Sequence, residues 1–148
     1  MPTVEQSIDV NVAVSTAYEQ WSQFESFPRW MEGVASVEQT DESRLHWIAK
    51  VREEFATVEG ETREWDARIT EQVRDERLSW ESIPGTPSEK PNAGAVAFAP
   101  LGDSSSRVTF RIEWEPEGGL ETPKEVLDAV NEVAAADLAR FKDFIEAN

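Results

Sequence analysis

Few side chains in this sequence are equipped for chemistry. His46 is the sole histidine, and cysteine is absent. That pair of facts removes His-pair and cysteine metal sites, thiol nucleophiles, disulfides and a Ser-His-Asp triad with a second base. No GxGxxG, GxxxxGK[ST] or HExxH pattern occurs, so nucleotide-binding and zinc-protease readings fall away. No metal and no cofactor is expected. His46 alternates with Leu45 and Trp47, which assigns it to a water-facing side of its strand.

The polar side chains that strand alternation turns inward are more informative, because burial without a partner costs a few kcal/mol. Arg63 and Glu71 fall on the face of Trp65 and Ile69, Gln6 on that of Ile8, and Asp137 beside an apolar helical stripe. Arg63 and Glu71 have two readings. They stand at strand ends and reach water, or they serve a site, where the Arg63 guanidinium would stabilise developing oxyanion charge. Tyr18, the sole tyrosine, is either core packing or a proton donor. Arg63, Tyr18 and Glu71 are therefore the candidate catalytic groups.

A second set is aromatic. Trp30, Trp47, Trp65, Trp80, Phe98, Phe110 and Trp114 are expected to face inward, opposite Ala134, Asp137, Leu138 and Phe141 of a C-terminal helix. Each ring brings about 150–250 Å² of apolar surface. They either fill a core or line a ligand cavity. An indole N–H wants a partner that a polar ligand or a cavity water supplies.

These residues sit on elements legible from periodicity. Val4, Ile8 and Val10 alternate in a first strand. Ser15 reads as an N-cap for a short helix carrying Ala17, Tyr18 and Trp21, and Pro28 as the first turn of a second, Arg29-Trp30-Met31, ending at Gly33. Strands follow over 34–40, 44–51, 62–73, 77–83, 93–101 and 106–116. The turns fall at Asp41-Glu42-Ser43, near Gly60 (the best candidate for positive φ), at Asp75-Glu76 and over 102–105. The Pro-rich stretch 84–92 reads as a surface loop or as a lid beside a cavity mouth. After Gly118-Gly119 the period becomes helical. With Thr122 as N-cap and Pro123 near the start, Val126, Val130, Val133/Ala134, Leu138, Phe141 and Ile145 share one face. The order is α+β: a strand, two short helices, six strands and one long helix. There is no internal repeat or linker, so residues 1–148 read as one domain.

The chain has 148 residues, 30 acidic against 14 basic, for a net charge of −16. Such a charge disfavours nucleic acid and anionic membrane as partners. Yet 39% of residues are hydrophobic and six are Trp, too many for a disordered acidic chain. Lys occurs only at positions 50, 90, 124 and 142. An acid excess with little Lys reads as a solvated acidic surface or as adaptation to high salt. MPTVEQSIDV lacks the features of a secretory signal, and no apolar run is long enough for a membrane span. The expected location is the cytoplasm, as a monomer or homodimer without stable membrane insertion.

The element order resembles the START-related helix-grip (SRPBCC) superfamily, in particular its bacterial polyketide cyclase/dehydrase-like branch and the related ubiquinone-binding lipid-transport branch. The resemblance rests on the opening IDVNVAVSTAYEQWSQFESFPRWMEGV, with its Phe27-Pro28-Arg29-Trp30 segment and Gly33-Val34 strand entry. The hairpin EWDARITEQVRDERLSWES and the ending LARFKDFIEA complete it. It implies a curved seven-stranded antiparallel sheet wrapped around the long C-terminal helix, with two short helices after strand 1. It also implies an apolar cavity for a hydrophobic small molecule: a lipid, an isoprenoid or an aromatic polyketide-like compound. Three functions stand open. One is ligand binding. The second is a polyketide aromatase/cyclase or dehydratase working by substrate orientation and acid/base groups. The third is an acidic protein-interaction module resembling the related chaperone-regulator branch.

Overall fold

A computed structural model describes residues 3–50, 60–83, 92–114 and 124–147. Val51, Val58, Glu59, the Pro-rich stretch over 84–91, Pro116, Gly118-Gly119 and the Thr122/Pro123 helix start lie outside them. The elements are β1 (Thr3–Val10), α1 (Val14–Trp21), a 3-10 segment (Phe24–Arg29), β2 (Val34–Asp41), β3 (Arg44–Lys50), β4 (Thr62–Val73), β5 (Arg77–Ser82), β6 (Asn92–Gly102), β7 (Ser105–Trp114) and α2 (Lys124–Glu146). All seven strands form one antiparallel sheet in the order β1-β7-β6-β5-β4-β3-β2. Each strand from β2 to β7 pairs with its sequence neighbour, and β1 closes on β7 through Gln6↔Phe110 and Ile8↔Val108. Gly60, at φ 72°, takes the left-handed conformation expected before β4, and Asp75, at φ 62°, does the same in the β4–β5 turn.

Three local expectations are corrected. Ser15 does not cap α1. The helix starts two residues earlier, with Ala13 at the N-cap position, and the amides of Thr16 and Ala17 donate to the Ala13 carbonyl at 3.0 and 3.1 Å. The second short helix lies over Phe24–Arg29, ahead of the expected Arg29-Trp30-Met31, and Pro28 falls near its end. The reason is spacing. Phe24, Phe27 and Trp30 recur every third residue, which is one face of a three-residue turn, and all three are buried. The third correction is in β4. Ile69 pairs with Trp80 but Glu71 pairs with Ser79, so Thr70 is an extra residue. This bulge inverts the alternation behind it. Glu71 and Val73 therefore leave the face of Trp65 for the outer one.

On the inner face Val4, Val10, Val37, Leu45, Trp47, Ala67, Leu78, Trp80, Val96, Phe98, Val108 and Phe110 are buried. Trp80 lies flat over Gly94, its partner across β5–β6. A Cβ at Gly94 would come within 2.5 Å of the Trp80 ring. The outer face carries the charge. Arg107 reaches both carboxylate oxygens of Asp9, at 2.7 and 3.2 Å, Arg68 pairs with Glu81, and Arg77 with Glu71 at 3.1 Å. His46 stands there as expected, but between two carboxylates. Nδ1 is 2.7 Å from Asp66 and Nε2 is 2.9 Å from Glu64. Both contacts are hydrogen bonds only when the ring is imidazolium. The bond to Asp66, then that to Glu64, raises the His46 pKa above 6.5.

Two outcomes follow from this packing. Gly94→Ala is expected to lose about 1–3 kcal/mol and to alter the near-ultraviolet circular dichroism of the Trp80 cluster. Denaturant melts and dichroism check this. A raised histidine pKa adds stability that is complete below pH 6.5 and disappears as pH rises through the folded value. Wild type should therefore lose ground to His46→Gln as pH climbs above about 6.5. The gap should stay within about 1 kcal/mol for groups this exposed, measured by urea melts across pH 5.5–9.

Candidate functional site

Among the described residues, the inner face divides into a filled half and a less covered, open half. In the filled half α1, the 3-10 segment and the C-terminal part of α2 meet the sheet. Trp21, Phe24, Phe27 and Trp30 interlock there with Phe110 and Phe141, with ring centroids 5.1–5.7 Å apart. Phe27 also reaches Trp47 and Trp80 at 5.6 and 5.8 Å. Trp47 in turn stacks on Trp80 at 5.7 Å and on Trp65 at 5.8 Å, the latter pair within 6° of parallel. This cross-strand ladder follows from register, because Trp47 faces Trp65 on adjacent strands.

The open half is read from α2. Ala134, Leu138, Phe141 and Ile145 are buried. Toward the helix N-terminus the same stripe continues through Leu127 and Val130, which are only partly buried, and Val133 is 37% exposed. Trp65, Ile69, Ile112 and Trp114 on the sheet are likewise only partly covered. Beside this stretch of α2 opens a cleft of about 590 Å³, lined by Glu32, Gly33, Lys50, Ala129, Glu132, Val133, Ala136, Asp137 and Arg140. That volume lies within the usual range of small-molecule sites, about 300–1,000 Å³.

One polar group at the cleft is buried. Asp137 is 6% exposed and pairs with Arg140, one helical turn on. Arg140 also donates from Nε to the Trp30 carbonyl at 3.0 Å and meets Glu32 at 3.3 Å. The guanidinium thus fastens the Trp30–Gly33 connection to α2 and shapes one wall of the cleft. Burial raises the Asp137 pKa, against the opposing hydrogen bond and charge of Arg140. A carboxyl in this position is poised nearer to proton exchange than a surface aspartate.

The residues singled out from sequence do not converge on one point. Asp137 lines the cleft, while Ala134, Leu138 and Phe141 lie on the buried stripe that continues from it. Trp30, Trp47, Trp80, Phe98 and Phe110 are buried, and Trp65 and Trp114 are half-buried at the core edge. Tyr18 is buried with its ring 5.5 Å from Phe98, away from the cleft. Arg63 is exposed at the start of β4, opposite Ala49. Glu71 sits on the outer face with Arg77. Gln6 hydrogen-bonds Asn131 of α2 at 2.9 Å, joining sheet to helix. Sequence reading passed over Arg140, Glu32 and Lys50. Arg140 had a local signal, since Asp137 and Arg140 stand at i and i+3 on one helix. Glu32 and Lys50 had none, because tertiary contact alone brings them to α2. Among the described residues no group of three His, Cys, Asp or Glu side chains could hold a metal ion. No helix among them is long and apolar enough to cross a membrane.

Arg140→Met would leave the Asp137 charge without its partner. The loss at pH 7 should be roughly 2 kcal/mol, below the 3–5 usual for a fully buried pair because Arg140 is partly solvated. The sign with pH follows from the raised pKa. The favourable neutral carboxyl is fully present below about pH 3.8 and is lost as pH rises through the raised value. Arg140 offsets that loss, so the gap between wild type and variant should narrow as pH falls. Urea unfolding at several pH values measures it.

Comparison with known proteins agrees with this geometry. Residues 10–143 match the family described as polyketide cyclase / dehydrase and lipid transport. An uncharacterized 17.2 kDa protein of Streptomyces lincolnensis, from the melC2-rnhH intergenic region, is 40% identical over 146 residues, covering 99% of this chain and 91% of its own. A START superfamily protein from Mycobacterium smegmatis superposes with a TM-score of 0.79 at 14% identity, over 98% of this chain and 97% of that one. The Zhui aromatase/cyclase from Streptomyces sp. R1128 does so with a TM-score of 0.63 at 15% identity, over 97% and 90%. The START superfamily protein thus shares the fold, and the match over residues 10–143 shows that this chain belongs to the polyketide cyclase/dehydrase and lipid-transport family.

Proposed function

We propose that the protein binds a hydrophobic small molecule between the N-terminal half of α2 and the open half of the sheet. The observation that carries this reading is the thinning cover of the α2 stripe before Ala134, where among the described residues Leu127 and Val130 are only partly buried and Val133 is 37% exposed, beside a cleft of about 590 Å³. The cleft wall on α2 carries the apolar Ala129, Val133 and Ala136 beside a few charged groups, the usual mixture of a small-molecule site. The family's description, which names lipid transport beside polyketide cyclisation, supports the same class of ligand. The acidic outer face does not oppose it, because an uncharged ligand meets the interior.

A second reading, a cyclase or dehydratase, is favoured by one feature: the buried Asp137 carboxyl at the cleft wall, with its raised pKa and its Arg140 partner. Orientation of a flexible chain against the cleft, with proton transfer at Asp137, would be its chemistry.

Ala136 lines the cleft, and an indole there would occupy it. Ala136→Trp should abolish the fluorescence enhancement of the uncharged dye N-phenyl-1-naphthylamine seen with wild type, while the melting temperature changes by only a few degrees. Equal dye binding by both proteins would overturn the assignment of the site. Native mass spectrometry of protein from its own host would identify the retained molecule.

A further inference from the structure

The cleft wall holds one titratable group that solvent hardly reaches. Asp137 is 6% exposed, yet it lines the cleft. Its partner Arg140 is shared. The same guanidinium donates to the Trp30 carbonyl at 3.0 Å and meets Glu32 at 3.3 Å. One cation therefore serves two carboxylates and a carbonyl, and it is itself partly exposed. A cation divided in this way offsets the Asp137 charge only in part. Solvent in the open cleft supplies the rest of what the carboxylate needs.

The other charged groups described around Asp137 come from α2, from the connection after Trp30 and from β3. On α2, Glu132 lines the same cleft. In the connection, Glu32 acts in two opposed ways. Its backbone amide donates to the Asp137 carboxylate, and its own charge repels that carboxylate. At the end of β3, Lys50 also lines the cleft. Arg140, Lys50 and the Glu32 amide favour the charged carboxylate, while Glu32, Glu132 and burial favour the neutral acid. Burial is the largest influence, and the carboxyl pKa stands above its ordinary 3.8. His46 also titrates above its ordinary value, but it stands on the outer sheet face between Asp66 and Glu64.

We infer that an uncharged guest and a proton enter this cleft together: the guest displaces the solvent beside Asp137, and the carboxyl it covers takes up a proton. This rests on the cleft being a ligand site, as proposed above, and adds how that site is regulated. When apolar surface replaces water, the carboxylate loses far more solvation than the neutral acid does. The guest therefore binds the protonated protein more tightly. By reciprocity, the bound guest raises the affinity of Asp137 for its proton by the same factor. The sign with pH follows. Binding is tightest where Asp137 is already neutral in the free protein. It weakens as pH rises from there, and it levels off once the carboxyl stays charged even under the guest. Acidification loads the site, and a return to higher pH empties it.

The test uses N-phenyl-1-naphthylamine, which stays uncharged across pH 4.5–8. Fluorescence titration of wild type should give a Kd that rises about tenfold over this range, the change that one unit of displacement in the carboxyl pKa produces. Calorimetric titration in two buffers of different ionisation enthalpy should show net proton uptake on binding. In Asp137→Asn the Kd should no longer depend on pH, whereas His46→Gln should keep the wild-type dependence. Carbon NMR of the Asp137 carboxyl in wild type reads the same coupling without relying on a variant to fold. Its titration should move to higher pH when the dye is bound. A Kd independent of pH, an Asp137 titration that the dye does not move, or wild-type pH dependence retained in Asp137→Asn would overturn the coupling while leaving the cleft as a ligand site. Failure of the dye to bind at any pH would overturn both.

Discussion

One sheet face has to be hidden by too little helix. Seven strands spaced about 4.8 Å apart make a surface roughly 30 Å wide, and its inner side is apolar from β1 to β2. The cover is a single helix of 23 residues, about 34 Å long but only 10–12 Å across. A helix of that shape protects only a band of the sheet. The other large apolar surface comes from α1 and the 3-10 segment, whose Trp21, Phe24 and Phe27, with the adjoining Trp30, fill one half. No described element does the same for the other half. The cleft opens at the edge of this cover, where α2 meets Glu32, Gly33 and Lys50.

The same constraint explains where the molecule is tied. Arg140 joins α2 to the Trp30 carbonyl and Glu32, while Lys142 donates to the Asp9 carbonyl at 3.0 Å and Glu146 accepts from the Asn11 amide at 2.8 Å. Nearly all of these anchors sit in the C-terminal part of the helix, where the stripe is also buried. Toward the N-terminal half, the described polar tie is Gln6 to Asn131. A helix held firmly at one end and lightly at the other suits a site that must admit a guest, because local opening draws on the least stabilised contacts. Asp137 stands near the boundary between the two regimes, buried enough to raise its pKa yet lining the cleft.

Charge is arranged around this interior with little effect on it. Arg107, Arg68, Arg77 and His46 each meet an acidic neighbour on the outer face. Exposed pairs of this kind contribute little each. The net charge of −16 thus belongs to a shell, and the inner face between sheet and helix is set by rings and aliphatic side chains.

Much of this was legible along the chain. Alternation set the inward side of Trp47, Trp80, Phe98 and Phe110, and the 3.6-residue period set that of Leu138 and Phe141, because both patterns are properties of the local backbone. The family resemblance followed from the order of these elements. Alternation failed at Glu71, where one extra residue inverts the side, and a bulge leaves no mark in a two-residue pattern. It could not foresee Glu32 and Lys50 beside Arg140, since residues more than a hundred positions or some ninety positions apart meet only after the sheet has curled under α2. By itself, the sequence determined which side chains face inward and that a single helix must cover them. Only the tertiary structure decided how far that cover reaches, because the reach depends on the angle and anchoring of α2. Those are fixed by contacts between distant residues.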